Sequence, residues 1–257
     1  MNLVSRIWVM CGIGAAAVVW ASSAEAGCNE LTAAEKEAGW RLLFDGKGTT
    51  GWRGFQKEAF PTHGWVVEDG CLKCEKPAAP APGEKPKATG GGDIITTALF
   101  DNFEFSWEWK LSAGANSGVK YFVDEKRADK KGKVYKSAIA HEYQMLDDAA
   151  WAKKEGPKSM TASWYVVIAP KNAVLKPLGE FNQSRIVIQG KHVEHWLNGA
   201  KVVEYETDSA ESAAGIAESK FKDVPGFADK IKTPILLQDH GGGVWFRNLK
   251  IRELPAR

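Results

Sequence analysis

The feature that most constrains the fold is the run from Phe103 to Leu111. In it Phe103, Phe105, Trp107, Trp109 and Leu111 alternate with Glu104, Ser106, Glu108 and Lys110. An apolar side chain at every second position predicts a strand with one greasy and one polar face. A second strand is predicted from His141 to Asp147, where Glu142 and Gln144 fall on one face and Tyr143 and Met145 on the other. The two strands are expected to offer carboxylates and an amide to one shared sheet surface.

Around these strands the chain is cut by turn signals. Asp45-Gly46, Asp69-Gly70 and Asn198-Gly199 favour the left-handed conformations of tight turns. Asn198-Gly199 joins Val193–Leu197 to Lys201–Tyr205 in the strongest hairpin signal of the sequence. Short strands are also predicted at 40–44, 65–68, 119–123, 164–168 and 185–189. Ala113–Gly118 reads as a turn, and 124–136 as a solvated loop. Pro234–His240 is expected to return through Gly241–Gly243 into 244–251 as a final hairpin. Thr32 with Glu35 three positions on caps a short helix. Residues 206–230 lack a clear period and read as a long excursion holding another short helix. Many strands with minor helices predict an all-β sandwich of two antiparallel sheets.

Arg6, the apolar run Ile7–Trp20 and Ala24-Glu25-Ala26 have the layout of a secretory signal peptide over residues 1–26. A mature domain of 27–257 in a secreted or periplasmic setting follows, with no stable membrane span. Lipoprotein anchoring at Cys28 is disfavoured by Glu25 three positions before it. Removing this segment takes away one Arg and one Glu, so the formal net charge stays at +2. Near-neutral charge argues against a nucleic-acid partner. Cys28, Cys71 and Cys74 remain in an oxidising compartment, with one of the strand pair Cys71 and Cys74 expected to be tied to Cys28. The segment 77–91, rich in Pro, Ala, Gly and Lys, reads as a surface loop.

Several motifs in fixed order resemble the 3-keto-disaccharide hydrolase family over nearly all of the mature chain. They are Leu43-Phe44-Asp45-Gly46 with Trp52, Gly92-Asp93-Ile94 with Thr96, Trp107-Glu108-Trp109, Asn116-Ser117-Gly118, and Glu142-Tyr143-Gln144 with Asp147. His195-Trp196-Leu197-Asn198-Gly199, Gln238-Asp239-His240-Gly241 and Phe246-Arg247-Asn248 complete the set. The resemblance implies a concanavalin-like jelly roll with its ligand site on the concave sheet, and activity on glycosides already oxidised at C3. It also implies a small carbohydrate as substrate, supplied by a separate glycoside 3-oxidase. The chain departs from the family pattern in the length of the 77–91 insertion and at Ser159–Ser163, where a Gly-containing turn is usual.

A C3 ketone acidifies the hydrogen on C2, so such a site needs a base, a donor or cation at the ketone oxygen, and an acid for the leaving oxygen. Glu142, His240 and His195 are the candidates for base and acid. Arg247, Gln144 and Gln238 are candidate oxygen donors, and the resemblance adds Glu108, Asn116 and Asp239 to the substrate contacts. Arg247 has a second reading as a clamp on Glu142. His63, His141 and His192 read as loop or edge residues. No cofactor is evident; a divalent metal that polarises the ketone is compatible with the residue types, but no His-x-x-x-His spacing supports it. The competing reading is a secreted lectin-like module, for which eleven Trp residues would offer stacking platforms.

Overall fold

The structure is a computed structural model in which residues 27–76 and 90–256 are described. The expected signal segment 1–26 and nearly all of the 77–91 loop lie outside the described residues. Thirteen strands follow in order: β1 (Arg41–Leu42), β2 (Trp52–Gly54), β3 (Trp65–Glu68), β4 (Cys71–Cys74), β5 (Ile94–Thr96), β6 (Phe103–Leu111), β7 (Asn116–Tyr121), β8 (His141–Leu146), β9 (Asn182–Gln189), β10 (His192–Leu197), β11 (Ala200–Glu206), β12 (Leu236–Leu237) and β13 (Val244–Glu253). Three short helices accompany them: α1 (Ala33–Glu37), α2 (Asp148–Trp151) and α3 (Ala210–Glu218). None of the described helices is long and apolar enough to cross a membrane.

The strands form two antiparallel sheets packed as a jelly-roll sandwich. The larger runs β11-β10-β9-β6-β13-β4-β3 with β1 beside β13, and the smaller runs β2-β5-β12-β7-β8. The apolar face of β6 enters the core as its alternation requires, with Phe103, Phe105, Trp107 and Trp109 all buried. From the facing sheet come Ile94, Val119, Tyr143, Met145 and Leu237. Trp107 meets Tyr143 edge-on with ring centroids 5.0 Å apart, an arrangement that stabilises by about 1 kcal/mol beyond area burial.

The expected shared surface does not exist. β6 lies in the larger sheet and β8 in the smaller, and each turns its apolar residues towards the other. Their polar faces therefore point to opposite outsides of the sandwich. Other local expectations also change. Asn116–Gly118 belong to β7 rather than to a turn. Residues 164–168 form a turn tied by single bridges, Tyr143 to Trp164 and Trp164 to Ile168, with Val166 at φ 57°. The segment 234–251 is no hairpin, because β12 pairs with β5 and β7 while β13 pairs with β1, β4 and β6. Its glycines make an arch between the sheets, and a side chain at Gly242 would stand 2.6 Å from the Ala115 Cα. The expected tie between Cys28 and Cys71 or Cys74 is not formed: the three described cysteines carry free thiols, Cys71 and Cys74 buried in β4 and Cys28 exposed.

Candidate active site

The outer face of the smaller sheet carries a cavity of about 520 Å³, within the usual range for small-molecule sites. Strand alternation decides its floor. On β7, Val119 and Tyr121 enter the core, so Asn116, Gly118 and Lys120 face outwards. On β8, Tyr143 and Met145 enter the core and Glu142 and Gln144 face outwards. Register sets Lys120 beside Glu142 and Gly118 beside Gln144. Gln238, just past β12, donates its backbone N–H to the Gly118 carbonyl at 2.9 Å and so continues the row. Asp93 precedes β5, and the loop holding Asp239 and His240 closes one side.

Gly118 is required by this packing. A Cβ there would lie 2.6 Å from Glu142 Oε1 and 3.0 Å from its Cγ, so the Glu142 side chain occupies the space a side chain on β7 would take. The Lys120 ammonium stands 3.4 Å from Glu142 Oε2 and donates to the Ala138 carbonyl at 3.0 Å. Asp93 Oδ1 accepts the Asp239 N–H at 2.9 Å. Burial pushes the Asp93 carboxyl up, against the opposing pull of Lys120 and that hydrogen bond. Asp239 is itself pinned, its oxygens accepting from the N–H groups of Gly92 at 3.0 Å and Gly241 at 3.1 Å.

Two acceptors are left over. Asn116 Oδ1 and Gln238 Oε1 are buried without a hydrogen-bond partner among the described residues, a costly state unless a ligand donates to them. Gln144 Oε1 accepts the Met145 N–H at 3.2 Å, which leaves its amide nitrogen as a donor. The rim is apolar and aromatic, with Tyr135, Ile139, Tyr165, Phe221 and Val224. Lys220 lies over the Tyr165 ring at 4.4 Å.

The sequence profile of the 3-keto-alpha-glucoside-1,2-lyase-like domain matches residues 39–252, a span that includes every residue of this pocket. The chain belongs to that family. A relative from Bacteroides thetaiotaomicron, a 3-keto-disaccharide hydrolase, is 34% identical over 235 residues, which cover 84% of this chain and 79% of the relative. Among solved structures, a candidate glycosyl hydrolase from Parabacteroides distasonis superposes with a TM-score of 0.72 at 31% identity, covering 89% of this chain and 100% of that one. A second from the same organism gives a TM-score of 0.58 at 27% identity, covering 84% and 99%.

In this 3-keto-alpha-glucoside-1,2-lyase-like domain, six of the nine residues singled out from sequence line the pocket: Glu142, His240, Asn116, Gln144, Gln238 and Asp239. His195, Glu108 and Arg247 do not. His195 is fully buried between the sheets, with Nδ1 2.9 Å from the Ala162 carbonyl and Nε2 2.6 Å from the Tyr121 hydroxyl. A carbonyl only accepts, so Nδ1 carries the hydrogen and Nε2 accepts from Tyr121. Burial lowers this imidazole to about 4. It is a neutral, satisfied core group out of reach of substrate. His141, expected at an edge, is likewise core, bonded to Tyr205 Oη and the Phe227 carbonyl at 2.9 Å each.

Glu108 and Arg247 face each other across β6 and β13 on the outside of the larger sheet. Arg247 Nε donates to Glu108 Oε2 at 2.8 Å, Asn248 Nδ2 donates to Oε1 at 2.9 Å, and the guanidinium covers the Phe181 ring at 3.7 Å. Arg247 clamps Glu108, not Glu142. A potential metal cluster of His192, Glu194 and Glu204 also lies off the pocket, on β10 and β11. Lys201 already supplies a cation there, 3.1 Å from Glu194 and 2.7 Å from Glu204.

Sequence reasoning missed Asp93, Lys120 and the aromatic rim. Lys120 had a usable signal, since Asn116, Gly118 and Lys120 alternate with core residues once Asn116 is placed in the strand. Asp93 stood only within a motif. Tyr135, Tyr165 and Phe221 come from irregular segments where no period points at a face.

Proposed function

We propose that this pocket cleaves 3-keto-glycosides by removal of the C2 proton and elimination across C1–C2, followed by addition of water. The observation that carries this reading is the floor itself: a carboxylate facing the pocket, Glu142, set among amide acceptors that lack partners among the described residues. Asn116 Oδ1 and Gln238 Oε1 suit the hydroxyl donors of a sugar ring. Glu142 or His240 serves as base. When the C2–H bond breaks, its electrons form the enolate of the C3 ketone. Collapse of the enolate makes a C1–C2 double bond and expels the C1 oxygen, which takes a proton from the other of the two groups. Water adding at C1, with a proton returned to C2, completes a net hydrolysis. The relative's name as a 3-keto-disaccharide hydrolase supports the substrate class. A separate oxidation of the C3 hydroxyl must supply this substrate.

The test is turnover of matched glycosides with C3 oxidised or unoxidised. Cleavage of the oxidised series alone is expected, because the C2 hydrogen of an ordinary glycoside is too weakly acidic for a side-chain base. Binding of 3-keto-glycosides with neither cleavage nor exchange at C2 would leave a lectin. Equal cleavage of both series would indicate ordinary glycosidase chemistry, for which Glu108 and Glu142 cannot be the pair, since they lie on opposite outer faces of the sandwich.

A further inference from the structure

A ketone oxygen carries no hydrogen to give, so it must be met by a donor. The strongest partnerless groups on the floor, Asn116 Oδ1 and Gln238 Oε1, are acceptors. The cation expected for this role, Arg247, lies on the other sheet. Of the pocket's two lysines, Lys220 sits at the exposed rim, bonded to the Tyr165 hydroxyl at 3.2 Å and stacked on its ring. Lys120 is different. Its side chain is 9% exposed, its ammonium donates to Ala138 O at 3.0 Å and stands 3.4 Å from Glu142 Oε2, and it lines the cavity.

We infer that Lys120 is the group that binds the C3 oxygen and stabilises the enolate as charge moves onto it. This rests on the reading of the pocket given above. The pairing of Lys120 with Glu142 follows from register, since the two residues face each other on β7 and β8. With Glu142 as the base, a carboxylate and an ammonium 3.4 Å apart match a proton on one carbon and an oxygen on the next. In the step, the C2 proton goes to the base, the C–H electron pair becomes the C2–C3 double bond, and the carbonyl π pair moves to the oxygen facing the Lys120 ammonium. Lys120 remains an ammonium throughout and forms no covalent bond. One such preorganised donor is worth about a hundred- to a thousand-fold in rate. Gln144, the neutral alternative donor, cannot match a full charge on an oxyanion.

The test compares kcat and KM of wild type, Lys120→Met and Lys120→Gln on a 3-keto-glycoside. Lys120→Met should lower kcat by about a hundred-fold or more while KM moves far less, and Lys120→Gln, which keeps a neutral donor, should fall between it and wild type. Because Lys120→Met leaves Glu142 without its cation, that variant can fail to fold, and Lys120→Gln then carries the comparison. A folded variant with kcat within a few-fold of wild type would overturn the inference while leaving the pocket's reaction standing. Wild-type protein inert towards 3-keto-glycosides would take both down. Borohydride added during turnover should leave Lys120 unmodified; a reduced sugar adduct on it would make Lys120 an imine former and overturn the ammonium role.

Discussion

At the scale of single residues, the same imidazole chemistry is put to different uses by burial. His240 stands exposed on a loop beside the pocket, whereas His195 and His141 are sealed in the core and lowered to about 4 and about 3, mainly by desolvation. Their ordinary value is about 6.5, so below it the unfolded chain takes up protons that the folded chain refuses. Stability from these groups is complete above about 6.5 and falls as pH drops towards 4 for His195 and towards 3 for His141. For His195 alone the loss is of the order of 3 kcal/mol by pH 4, at about 1.4 kcal/mol per pH unit. Urea unfolding across this range should show the decline, and His195→Gln should flatten it. A variant with the wild-type pH slope would contradict the placement of His195 as a neutral core group. The pattern around His195 did not mark it as core, because a period-two alternation says that His195 shares a face with Val193 and Leu197 but not what covers that face.

At the scale of elements, alternation and local hairpins were readable and long-range pairing was not. The inward and outward residues of β6 and β8 follow from their patterns, as do the Thr32-capped helix and the Asn198-Gly199 hairpin. From sequence the arch between β12 and β13 reads as a hairpin, because nearby strands joined by glycines look alike whether they pair with each other or cross between sheets. Its consequence is functional, since the arch carries Asp239 and His240 to the edge of the floor. The β7–β8 ladder supplies a prediction of its own. Gly118→Ala should push the Glu142 carboxylate from its seat, and a displacement of about 1 Å costs on the order of a hundred-fold in rate. The clash reaches from the carboxylate to Cγ of a buried side chain paired with Lys120, so the melting temperature should fall as well, and the comparison is made below it. Unaltered kcat for a folded Gly118→Ala protein would show that the position of Glu142 does not matter.

At the scale of the whole molecule, the sandwich separates two polar surfaces that the sequence had merged. The larger sheet spends its outward charges on one another: Glu104 is held by both Arg185 and Arg252, and Glu108 by Arg247 and Asn248. The smaller sheet keeps acceptors open and a carboxylate beside a single ammonium. Which strands share a sheet depends on long-range pairing, and no local pattern encodes it; that is why Glu108 and Arg247 were drawn into a site they do not join. In the proposed reaction the Glu142 face removes a proton from C2 of an oxidised sugar. The most direct measurement is exchange of the C2 hydrogen of a 3-keto-glycoside in deuterated water, followed by NMR with wild type, Glu142→Gln and His240→Ala. Deuterium should enter C2 with wild type, and at least one of the two variants should slow entry by about a hundred-fold or more while its circular dichroism is unchanged. Exchange at the wild-type rate in both variants, or no exchange with wild type, would rule out proton removal by this face.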